Sequence, residues 1–436
     1  MFQIDITGIG AELQGVGRLP DGRAVFVPGA IPGETVKIEI TAEKGRFCEA
    51  SLIEVVIPSP DRVSPDCPHA GLCGGCQARH MRYHRTLTLK RQVVADALSR
   101  IGGLDQPEVR ETIGCDHPER TRNKAEYPIA FVNGQPVIGT YARSSHTVLP
   151  LDDCLLQAPE SIRALREVGQ WLPRFPLARH LKGLVTRVNS NSEVMAILTG
   201  DAPIQSELTR QAPRISNLLS LWYCQLNRRP THALDGRCTR ISGKATITES
   251  LFNLTFELAP QSFFQVNRSQ TEHLYQIAMK AAGIKPGSNI RLLDAYCGVG
   301  TISLCAAESV QSVTGIEIVP PAIENARRNA QINGISNARF ICADAAREIP
   351  ALLARKNHFD ATILDPPRKG ADPALLQALA HAQIPTITYV SCNPATLARD
   401  IKTLRSLGYH ARWAQPVDMF PWTGHVETVA LMSRNI

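Results

Sequence analysis

From about residue 265 the sequence alternates short apolar runs with helical patterns, and this alternation constrains the fold more than any other feature. A helical pattern, SQTEHLYQIAMKAAGI with Ser269 as its N-cap, comes first, and apolar strands ending in polar loops follow it. Such alternation predicts an α/β, doubly wound, Rossmann-like sheet. Ligands bind at the carboxyl ends of the strands in that architecture, so polar residues there are the first candidates for a site.

The segment LLDAYCGVG at 292–300 follows the first of these strands and leads into a helix. Gly298 and Gly300 allow the backbone to approach a ligand, here the amino-acid part of S-adenosylmethionine. The next two strands end near Glu317 and Asp344, whose carboxylates suit the ribose hydroxyls and the adenine end of that ligand. A lone Gly-x-Gly is weak evidence, so the prediction of a methyl-donor site depends on this order of strands and carboxylates.

Two motifs near the C-terminus carry nucleophilic chemistry. SCNP at 391–394 places Cys392 after a strand predicted to be buried, and GHVETVALM at 424–432 places Glu427 in an apolar run. The C5 carbon of uracil is a poor nucleophile, but a thiolate that adds to C6 lets C5 attack a sulfonium methyl. A base must then remove the C5 proton, and Glu427 is the candidate. With the donor loop, the motifs predict carbon methylation of a pyrimidine through a covalent adduct.

Three cysteines in CPHAGLCGGCQARH, at 67–80, have the spacing of metal ligands. Cys67, Cys73 and Cys76 follow a C-x5-C-x2-C pattern, and Cys154 is available as a fourth ligand. Four thiolates suit a [4Fe–4S] cluster or a structural zinc ion, and spacing does not separate the two. Because the spacing differs from that of radical enzymes, we do not expect radical chemistry. The glycines between the cysteines are expected to point N–H groups at sulfur.

Residues 1–58 predict a small β-barrel, because short β-branched runs alternate with turn signals such as PDG at 20–22. Five strands of this length favour an OB-like barrel, a fold that often binds oligonucleotides. A proline-rich linker at 58–65 comes next. The domain predicted at 59–264 contains the cysteine motif, a helix near 84–102 that packs on the catalytic domain, and an antiparallel β region. Helices are predicted there at ESIRALREVGQWL and IQSELTRQAPRISNLLSL. The catalytic domain is predicted at 265–436.

Composition sets the remaining limits. With 436 residues, 44% of them hydrophobic and 20% charged, the chain predicts a globular protein with two or three domains. No apolar run reaches the ~18 residues that span a membrane, and the start lacks a signal-peptide pattern. We therefore expect a cytoplasmic protein, which we take to be a monomer. The net charge is +7, and the basic stretch at 79–91 fits a phosphate-binding surface or a solvated helix face equally well.

Together these motifs resemble the RNA (uracil-5-)-methyltransferase family over the whole chain. The resemblance rests on the N-terminal barrel, a TRAM domain in this family, and on CPHAGLCGGCQARH, QSFFQVN, DAYCGVG, LDPPRKG, SCNP and HVETV. Within the family the chain is most similar to the bacterial enzymes that make 5-methyluridine in 23S ribosomal RNA. The transfer-RNA members are expected to match only the C-terminal half and to lack barrel and cluster, so the resemblance favours 23S rRNA as partner.

The resemblance also implies roles for single residues. Cys392 is the implied nucleophile and Glu427 the implied base, while Asp365 belongs to the donor site or orients the uracil. Thr301 stands where some members carry Asn. The implied methyl-donor site consists of Gln265, Tyr296, Thr301, Glu317, Asp344 and Asp365. The implied iron–sulfur ligands are Cys67, Cys73, Cys76 and Cys154. Phe263 or Phe264 is a candidate for stacking on a flipped base.

Other functions stay open. A methyltransferase for an exocyclic amine typically has an aromatic residue after Asp-Pro-Pro, where this chain has Arg368, and it needs no Cys392. A family member acting on transfer RNA is a second alternative. A non-enzymatic RNA-binding or ribosome assembly factor is a third, although the complete set of donor-site residues argues against a decayed catalytic half.

Overall fold

A computed structural model describes residues 1–355 and 357–434, which form two compact units. Unit 1 consists of Met1–Asp116, Gln276–Gly283 and Ala346–Ile436, and unit 2 of His117–Tyr275 and Ile284–Ala345. Residues 356, 435 and 436, which belong to the predicted catalytic domain, lie outside the described residues. Among the described residues, no helix combines the length and the apolarity needed to cross a bilayer.

Unit 1 begins with a closed five-stranded barrel, as the sequence predicts. The strands are β1 (Phe2–Ile9), β2 (Gly15–Arg18), β3 (Ala24–Val27), β4 (Thr35–Glu43) and β5 (Phe47–Ile57). Alternate residues of each strand point inward, so side chains such as Ile4, Val25 and Ile38 form a small buried core. The barrel closes because β4 pairs with β1 as well as with β5.

Buried Glu34 fixes one rim of the barrel. Its carboxylate accepts the N–H groups of Ile31 at 2.9 Å and Ser59 at 3.2 Å, and Arg62 Nη2 donates to it at 2.7 Å. Burial alone would raise the pKa of Glu34, but the hydrogen bonds from Arg62 and the two amides outweigh it and hold the pKa below its ordinary value. The segment at 58–65, predicted as a linker, is therefore packed onto the barrel through Ser59 and Arg62.

The next element of unit 1 is helix α1 (Tyr83–Arg100), which corresponds to the helix predicted near 84–102. Leu89 and Val93 on one side of α1 pack with Leu13 and Ile31 of the barrel segment in one apolar cluster. The spacing of four between Leu89 and Val93 puts both side chains on the same helical face. The barrel and α1 therefore share a core within unit 1.

Two cations of the basic stretch at 79–91 are not available for a phosphate-binding surface. Arg79 is buried and donates to the Asp66 carboxylate at 3.0–3.1 Å, and Lys90 is buried against Asp418. Both cations are thus committed to contacts within unit 1. Neither of the two sequence interpretations, a phosphate site or a solvated face, is correct for these two residues.

Unit 2 contains a seven-stranded sheet with the order β12-β11-β10-β9-β6-β7-β8. Its elements in chain order are β6 (Lys124–Val132), β7 (Gln135–Tyr141), β8 (Val148–Pro150), α2 (Pro159–Trp171), 3-10 turns at Leu172–Arg174 and Ala178–His180, β9 (Leu181–Val188), β10 (Val194–Gly200), α3 (Gln205–Arg210), β11 (Leu218–Leu226) and β12 (Gly236–Gly243). Helix α2 was predicted, and its residues Ile162, Leu165 and Val168 are buried in the core of this unit.

Two details of this sheet differ from the prediction. The pattern IQSELTRQAPRISNLLSL is helical only over α3, and its end forms the start of strand β11. Pro213 disfavours continuation of the helix because it lacks an N–H donor, and pairing with β10 and β12 then favours a strand. The strands β10 and β11 run parallel, whereas every other pairing in this sheet is antiparallel.

Unit 2 also contains the first half of the predicted strand–helix alternation. The elements that follow β12 are β13 (Ile247–Leu251), β14 (Leu254–Leu258), α4 (Arg268–Ala281), which continues into unit 1, β15 (Arg291–Ala295), α5 (Thr301–Ala307), β16 (Ser312–Glu317), α6 (Pro320–Ile332) and β17 (Ala338–Cys342). Strands β15, β16 and β17 are parallel neighbours, as predicted. Helix α4 begins one residue before Ser269, and the side chain that accepts the Gln270 N–H, at 3.4 Å, is that of Asn267.

The second half of the alternation lies in unit 1. Its elements are α7 (Ala345–Ala354), β18 (Ala361–Leu364), α8 (Pro373–His381), β19 (Thr386–Ser391), α9 (Pro394–Ser406), β20 (His410–Val417) and β21 (Glu427–Ser433). Strands β18 and β19 are parallel, and β21 inserts antiparallel between β19 and β20. Helix α1 lies beside α9, where Arg405 donates to the carbonyl groups of Gly102 and Gly103 at 3.0 and 2.9 Å.

The Glu34 network predicts a measurable contribution to barrel stability. Glu34→Gln should lower the free energy of barrel opening by about 1–3 kcal/mol, because it removes the charge that Arg62 faces at a buried position. Native-state hydrogen exchange of the barrel amides measures the free energy of barrel opening in the wild type and in the variant. The pKa of Glu34 is depressed in the folded protein. The greater stability of the wild type over Glu34→Gln should therefore be present at neutral pH and disappear as the pH falls through that pKa.

The matched control is Glu54→Gln, which breaks the exposed pair with Lys37 at 2.7 Å. An exposed pair of this kind contributes about 0.5 kcal/mol or less. Equal effects of the two substitutions would show that the Glu34 network does not hold the rim.

Candidate active site

Cys392 lies between strand β19 and helix α9 in unit 1. The next residue, Asn393, caps the helix, because its side-chain oxygen accepts the Ala395 N–H at 3.0 Å. Pro394 occupies the first helical position, which its fixed φ angle favours. The strand and the capped helix together fix the backbone on both sides of the thiol.

Glu427 is the first residue of β21, the strand next to β19. In the register of these strands Ser391 lies opposite Thr428. Cys392 directly follows Ser391, and Glu427 directly precedes Thr428. The Glu427 side chain is only 4% exposed. The two residues predicted as nucleophile and base therefore lie at the same edge of the sheet in unit 1.

The electrostatics of this edge link four side chains. Burial raises the pKa of Cys392 to about 11, with further contributions from the charges of Glu427 and Asp365, against a lowering by Arg368. Burial and the Asp365 charge raise the pKa of Glu427 to about 8, again opposed by Arg368. Burial also raises the pKa of Asp365 to about 7. Cys392 is therefore a thiol at neutral pH, beside two carboxyl groups that can exchange protons near neutral pH.

Arg368 is a residue of this site that the sequence did not single out as functional. Its carbonyl oxygen accepts hydrogen bonds from Asn393 Nδ2 and Thr396 Oγ1, each at 3.2 Å. Its guanidinium Nη2 lies 3.1 Å from His425 Nδ1. The sequence signal for Arg368 is its position directly after Asp-Pro-Pro. That position argues against an amine methyltransferase but does not by itself indicate a role beside the thiol.

A buried ion pair anchors the loop that precedes Glu427. Lys90 of α1 is paired with Asp418, both side chains fully buried, and Lys90 Nζ also donates to the Phe420 carbonyl at 2.9 Å. Tyr83 of the same helix donates to Asp418 Oδ2 at 2.7 Å. Burial and the Asp418 charge raise the pKa of Tyr83, so its hydroxyl stays a donor. Helix α1 thus fixes the beginning of the loop that leads to Glu427.

The cysteine-rich segment contacts the same loop. The N–H groups of Gln77 and Ala78 donate to the Trp422 carbonyl at 2.9 and 3.0 Å. The Gly424 N–H donates to Gln77 Oε1 at 3.3 Å, and the Arg79 guanidinium lies over the Trp422 ring at 4.7 Å. The cysteine-rich segment therefore also supports the loop that precedes Glu427.

The described residues do not show the metal site predicted at the cysteine motif. Cys67, Cys73 and Cys76 are half-buried, and the Gly75 N–H donates to Cys73 Sγ at 3.3 Å, as expected for a glycine beside a ligand. Among the described residues, however, no group of three or more His, Cys, Asp or Glu side chains is arranged to hold a metal ion. Cys154 belongs to unit 2. These residues do not show the fit that a [4Fe–4S] cluster or zinc requires, and both assignments stay predictions.

The residues implied at the methyl-donor site belong to unit 2, except Asp365, which belongs to unit 1. Glu317 at the end of β16 accepts the N–H groups of Gly298 at 3.2 Å and Val319 at 3.0 Å. Gly298 and Gly300 have φ angles of 55° and 81°, in the left-handed region that favours glycine. Apart from its chain neighbours, no described residue places a heavy atom within 4 Å of a Cβ built at Gly298. The open loop and the fixed carboxylate fit an amino-acid and ribose ligand.

The other implied donor residues lie in less uniform surroundings. Tyr296, directly after β15, has a φ angle of 69°, a rare conformation for a residue with a side chain, which sharply turns the backbone into the glycine loop. Thr301 Oγ1 is within 3.0 Å of the Tyr275 hydroxyl. Gln265 is buried and accepts a hydrogen bond from Asn123 at its backbone carbonyl, at 3.2 Å. Asp344, after β17, is exposed.

The structure also separates the two phenylalanines proposed for base stacking. Phe264 is buried, with its ring centre 6.0 Å from that of Phe256, so it is a core residue. Phe263 is 70% exposed. Only Phe263 is free to stack on a base.

Comparison with known proteins agrees with this fold. Residues 244–435 match the family model for tRNA (uracil-5-)-methyltransferases, and residues 2–53 match the TRAM domain. An uncharacterized RNA methyltransferase of Caldanaerobacter subterraneus subsp. tengcongensis is 39% identical, covering 99% of this chain and 98% of that protein. One of Halalkalibacterium halodurans is 36% identical, covering 98% and 95%.

A solved structure also matches nearly the whole length of the chain. The Pyrococcus abyssi tRNA (uracil-54, C5)-methyltransferase in complex with S-adenosyl-L-homocysteine is 26% identical, covers 99% of both chains and has a TM-score of 0.77. The expectation that transfer-RNA members match only the C-terminal half is therefore wrong, and the barrel does not by itself indicate ribosomal RNA.

The fold and these matches define an S-adenosylmethionine-dependent RNA methyltransferase with an N-terminal TRAM barrel and a methyltransferase-like C-terminal domain. The chain belongs to the RNA (uracil-5-)-methyltransferase family.

The raised pKa of Cys392 makes a prediction about the free protein. Alkylation of Cys392 by iodoacetamide should be slow at pH 7 and rise about tenfold per pH unit up to about 11, because only the thiolate reacts. Glu427→Gln should speed this alkylation severalfold at pH 9, since it removes one of the negative charges that raise the pKa. Site-resolved mass spectrometry measures the rate.

Glu108→Gln is the control, because Glu108 is an exposed carboxylate of the same unit, paired with Arg110 at 3.5 Å. If Cys392 is alkylated at the wild-type rate in both Glu427→Gln and Glu108→Gln, the Glu427 charge does not act on the thiol.

Proposed function

We propose that this protein methylates the C5 carbon of a uridine in RNA through a covalent bond between Cys392 Sγ and uracil C6. The observation that carries the proposal is the grouping of one thiol with two buried carboxyl groups of raised pKa, at one sheet edge of an RNA methyltransferase. A simple amine methylation needs neither the thiol nor a base of this kind.

The first step forms the carbon–sulfur bond. Because the pKa of Cys392 is about 11, its proton leaves as sulfur approaches C6, and Asp365 in its carboxylate form accepts it, so that Glu427 stays a carboxylate for the later step. Arg368 favours the thiolate, since its charge lowers the pKa of Cys392. Addition to C6 moves an electron pair into the ring, and C5 becomes nucleophilic.

The second step forms the carbon–carbon bond and restores the ring. S-adenosylmethionine, when bound, supplies an electrophilic methyl group, which C5 takes. Glu427 then accepts the C5 proton, the C5–C6 double bond re-forms, and Cys392 leaves as thiolate. One uridine and one donor molecule give 5-methyluridine, S-adenosylhomocysteine and one proton.

We assign Asp365 to the uracil rather than to the methyl donor. Its charge acts on both Cys392 and Glu427 within unit 1, whereas the other implied donor residues belong to unit 2. With a pKa of about 7, its protonated form donates a hydrogen bond to a uracil carbonyl near neutral pH. Such a bond strengthens as the ring becomes an enolate, which lowers the barrier for addition.

RNA binding must expose the target base. A uridine in a stem or loop is flipped out at a cost of a few kcal/mol, and an aromatic side chain recovers part of this cost by stacking on a base. Phe263 is the exposed aromatic residue of the QSFFQVN motif, and we assign it to this contact. The TRAM barrel supplies a second RNA-binding element.

The RNA target has two candidates. The motif resemblance favours 23S ribosomal RNA, and we keep it as the first candidate. Transfer RNA is the second, because the Pyrococcus abyssi protein that matches the whole chain acts on tRNA at uracil 54.

The resemblance to the iron–sulfur members supports a [4Fe–4S] group at the cysteine segment, with zinc as the alternative, and no step above depends on either.

RNA containing 5-fluorouridine tests the reaction. The fluorine at C5 cannot leave as a proton does, so the methylated ring should stay bonded to Cys392. A denaturation-resistant RNA–protein species is expected with the wild type and S-adenosylmethionine, and mass spectrometry should map it to Cys392. Cys392→Ala should form none, although it should bind RNA and donor nearly as well as the wild type.

Fluorinated 23S rRNA and tRNA transcripts, tried side by side, identify the target by which RNA is trapped and at which uridine. An adduct on a different cysteine, or turnover by Cys392→Ala, would refute the nucleophile assignment.

The base assignment predicts a different trapped state with ordinary RNA. Glu427→Gln should accumulate a methylated RNA–protein adduct, because the C5 proton then has no acceptor. A methyl label in the adduct would show that transfer precedes the block. The adduct must be absent from the double variant Cys392→Ala, Glu427→Gln.

The wild-type rate of product formation should rise with pH through about 8, where Glu427 becomes a carboxylate. Loss of activity in Glu427→Gln without any methylated adduct would place Glu427 before methyl transfer.

A further inference from the structure

The hairpin formed by β11 and β12 in unit 2 carries a cluster of exposed positive charge. Five cations lie between residues 227 and 244, and every one of them is exposed: Arg228, Arg229, Arg237, Arg240 and Lys244. Within residues 1–355 and 357–434, none of them is paired with a carboxylate. Strand β12 is the edge strand of its sheet, so the hairpin is accessible along its length.

The single acid of the hairpin does not neutralise these charges, because its carboxylate is used to build the loop. Asp235 Oδ2 accepts the Thr231 N–H at 2.8 Å and its hydroxyl at 2.9 Å, and Asp235 Oδ1 accepts from Asn227 Nδ2 at 2.6 Å. These hydrogen bonds hold the pKa of Asp235 below its ordinary value. The Asp235 carboxylate therefore holds the loop together, and the loop arginines Arg228 and Arg229 are exposed.

The hairpin is joined to the turn that presents Phe263. Gln261 Nε2 donates to the carbonyl groups of Leu234 and Gly236, at 2.9 and 3.2 Å. The same turn is fixed by Arg187 Nη2, which donates to the Ser262 carbonyl at 2.6 Å. The hairpin that carries the exposed cations is thus hydrogen-bonded to the turn that carries the exposed Phe263.

Protection of an edge strand explains only part of this pattern. Charges on an edge strand discourage pairing with a strand of another molecule. Charges of either sign have this effect, and charges within the strand itself are sufficient for it. Here all five charges have one sign, and Arg228 and Arg229 lie in the connecting loop, outside β12. Like charges held this close repel each other, so the arrangement suits a surface that meets a polyanion.

We propose that the β11–β12 hairpin binds the phosphate backbone of the RNA substrate beside the base that Phe263 contacts. Arginine side chains bind phosphate oxygens well, and these contacts position an RNA without reading its sequence. The stretch at 79–91 does not supply this function through Arg79 and Lys90, which are buried in ion pairs. The proposal goes beyond the uridine chemistry, because it assigns a binding surface that no step of the reaction requires.

A pair of charge-matched variants tests the proposal. The hairpin variant carries Arg228→Gln, Arg229→Gln, Arg237→Gln and Arg240→Gln. The control variant removes the same charge from four other exposed positions of unit 2, through Arg163→Gln, Arg174→Gln, Arg179→Gln and Arg214→Gln. Dissociation constants for unmodified 23S rRNA and tRNA transcripts are measured over a series of salt concentrations, and thermal melting confirms that both variants fold.

The hairpin variant should bind RNA about 10- to 100-fold more weakly at 0.15 M salt, and the slope of log affinity against log salt should become shallower by about 3. The control variant should change affinity by less than about threefold. Equal losses in the two variants would mean that only net charge matters, and an unchanged salt slope in the hairpin variant would equally overturn the proposal. Binding needs no adduct, so this result is independent of the Cys392 mechanism.

Discussion

The buried ion pair between Lys90 and Asp418 is the interaction on which the position of the loop before Glu427 depends. Two charges removed from water cost several kcal/mol each, and their attraction recovers this only when the remaining hydrogen bonds are satisfied. Here the Phe420 carbonyl and the Tyr83 hydroxyl complete the set. Removing one partner of such a pair typically costs about 3–5 kcal/mol. The pair therefore gives α1 one position against the loop that leads to Glu427.

That loop in turn explains why the barrel, the cysteine segment and the catalytic strands lie in one unit. The loop is fixed by α1 at Asp418 and by the cysteine segment at Trp422. At Gly424 it leaves no room for a side chain, because a Cβ there would lie 2.6 Å from the Glu12 backbone of the barrel segment. Three sequence-distant segments thus determine where β21 begins, and β21 begins at the proposed base. The cysteine motif has a structural role here whether or not it holds a metal.

The site combines requirements that oppose each other. A buried thiol is hard to ionise, and neighbouring carboxylates make it harder, yet the proposed reaction needs a thiolate and a base in the same pocket. Arg368 eases this conflict, because its charge lowers the pKa of both Cys392 and Glu427. The carboxyl groups of Asp365 and Glu427, with pKa values of about 7 and 8, then exchange protons in the range in which enzymes usually work.

The sequence by itself determined the local elements and the chemistry-bearing residues. Strand and helix periods predicted the barrel and the C-terminal alternation, and motif spacing predicted Cys392 and Glu427, because these signals act over a few neighbouring residues. Only the tertiary structure decided that residues 218–221 start a strand, that Lys90 is an ion-pair partner, and that Arg368 and Asp365 share a site with the thiol. It also decided that the exposed cations lie on the β11–β12 hairpin. Burial and long-range pairing set these outcomes, and a local pattern carries no information about which distant residue covers or neutralises a side chain.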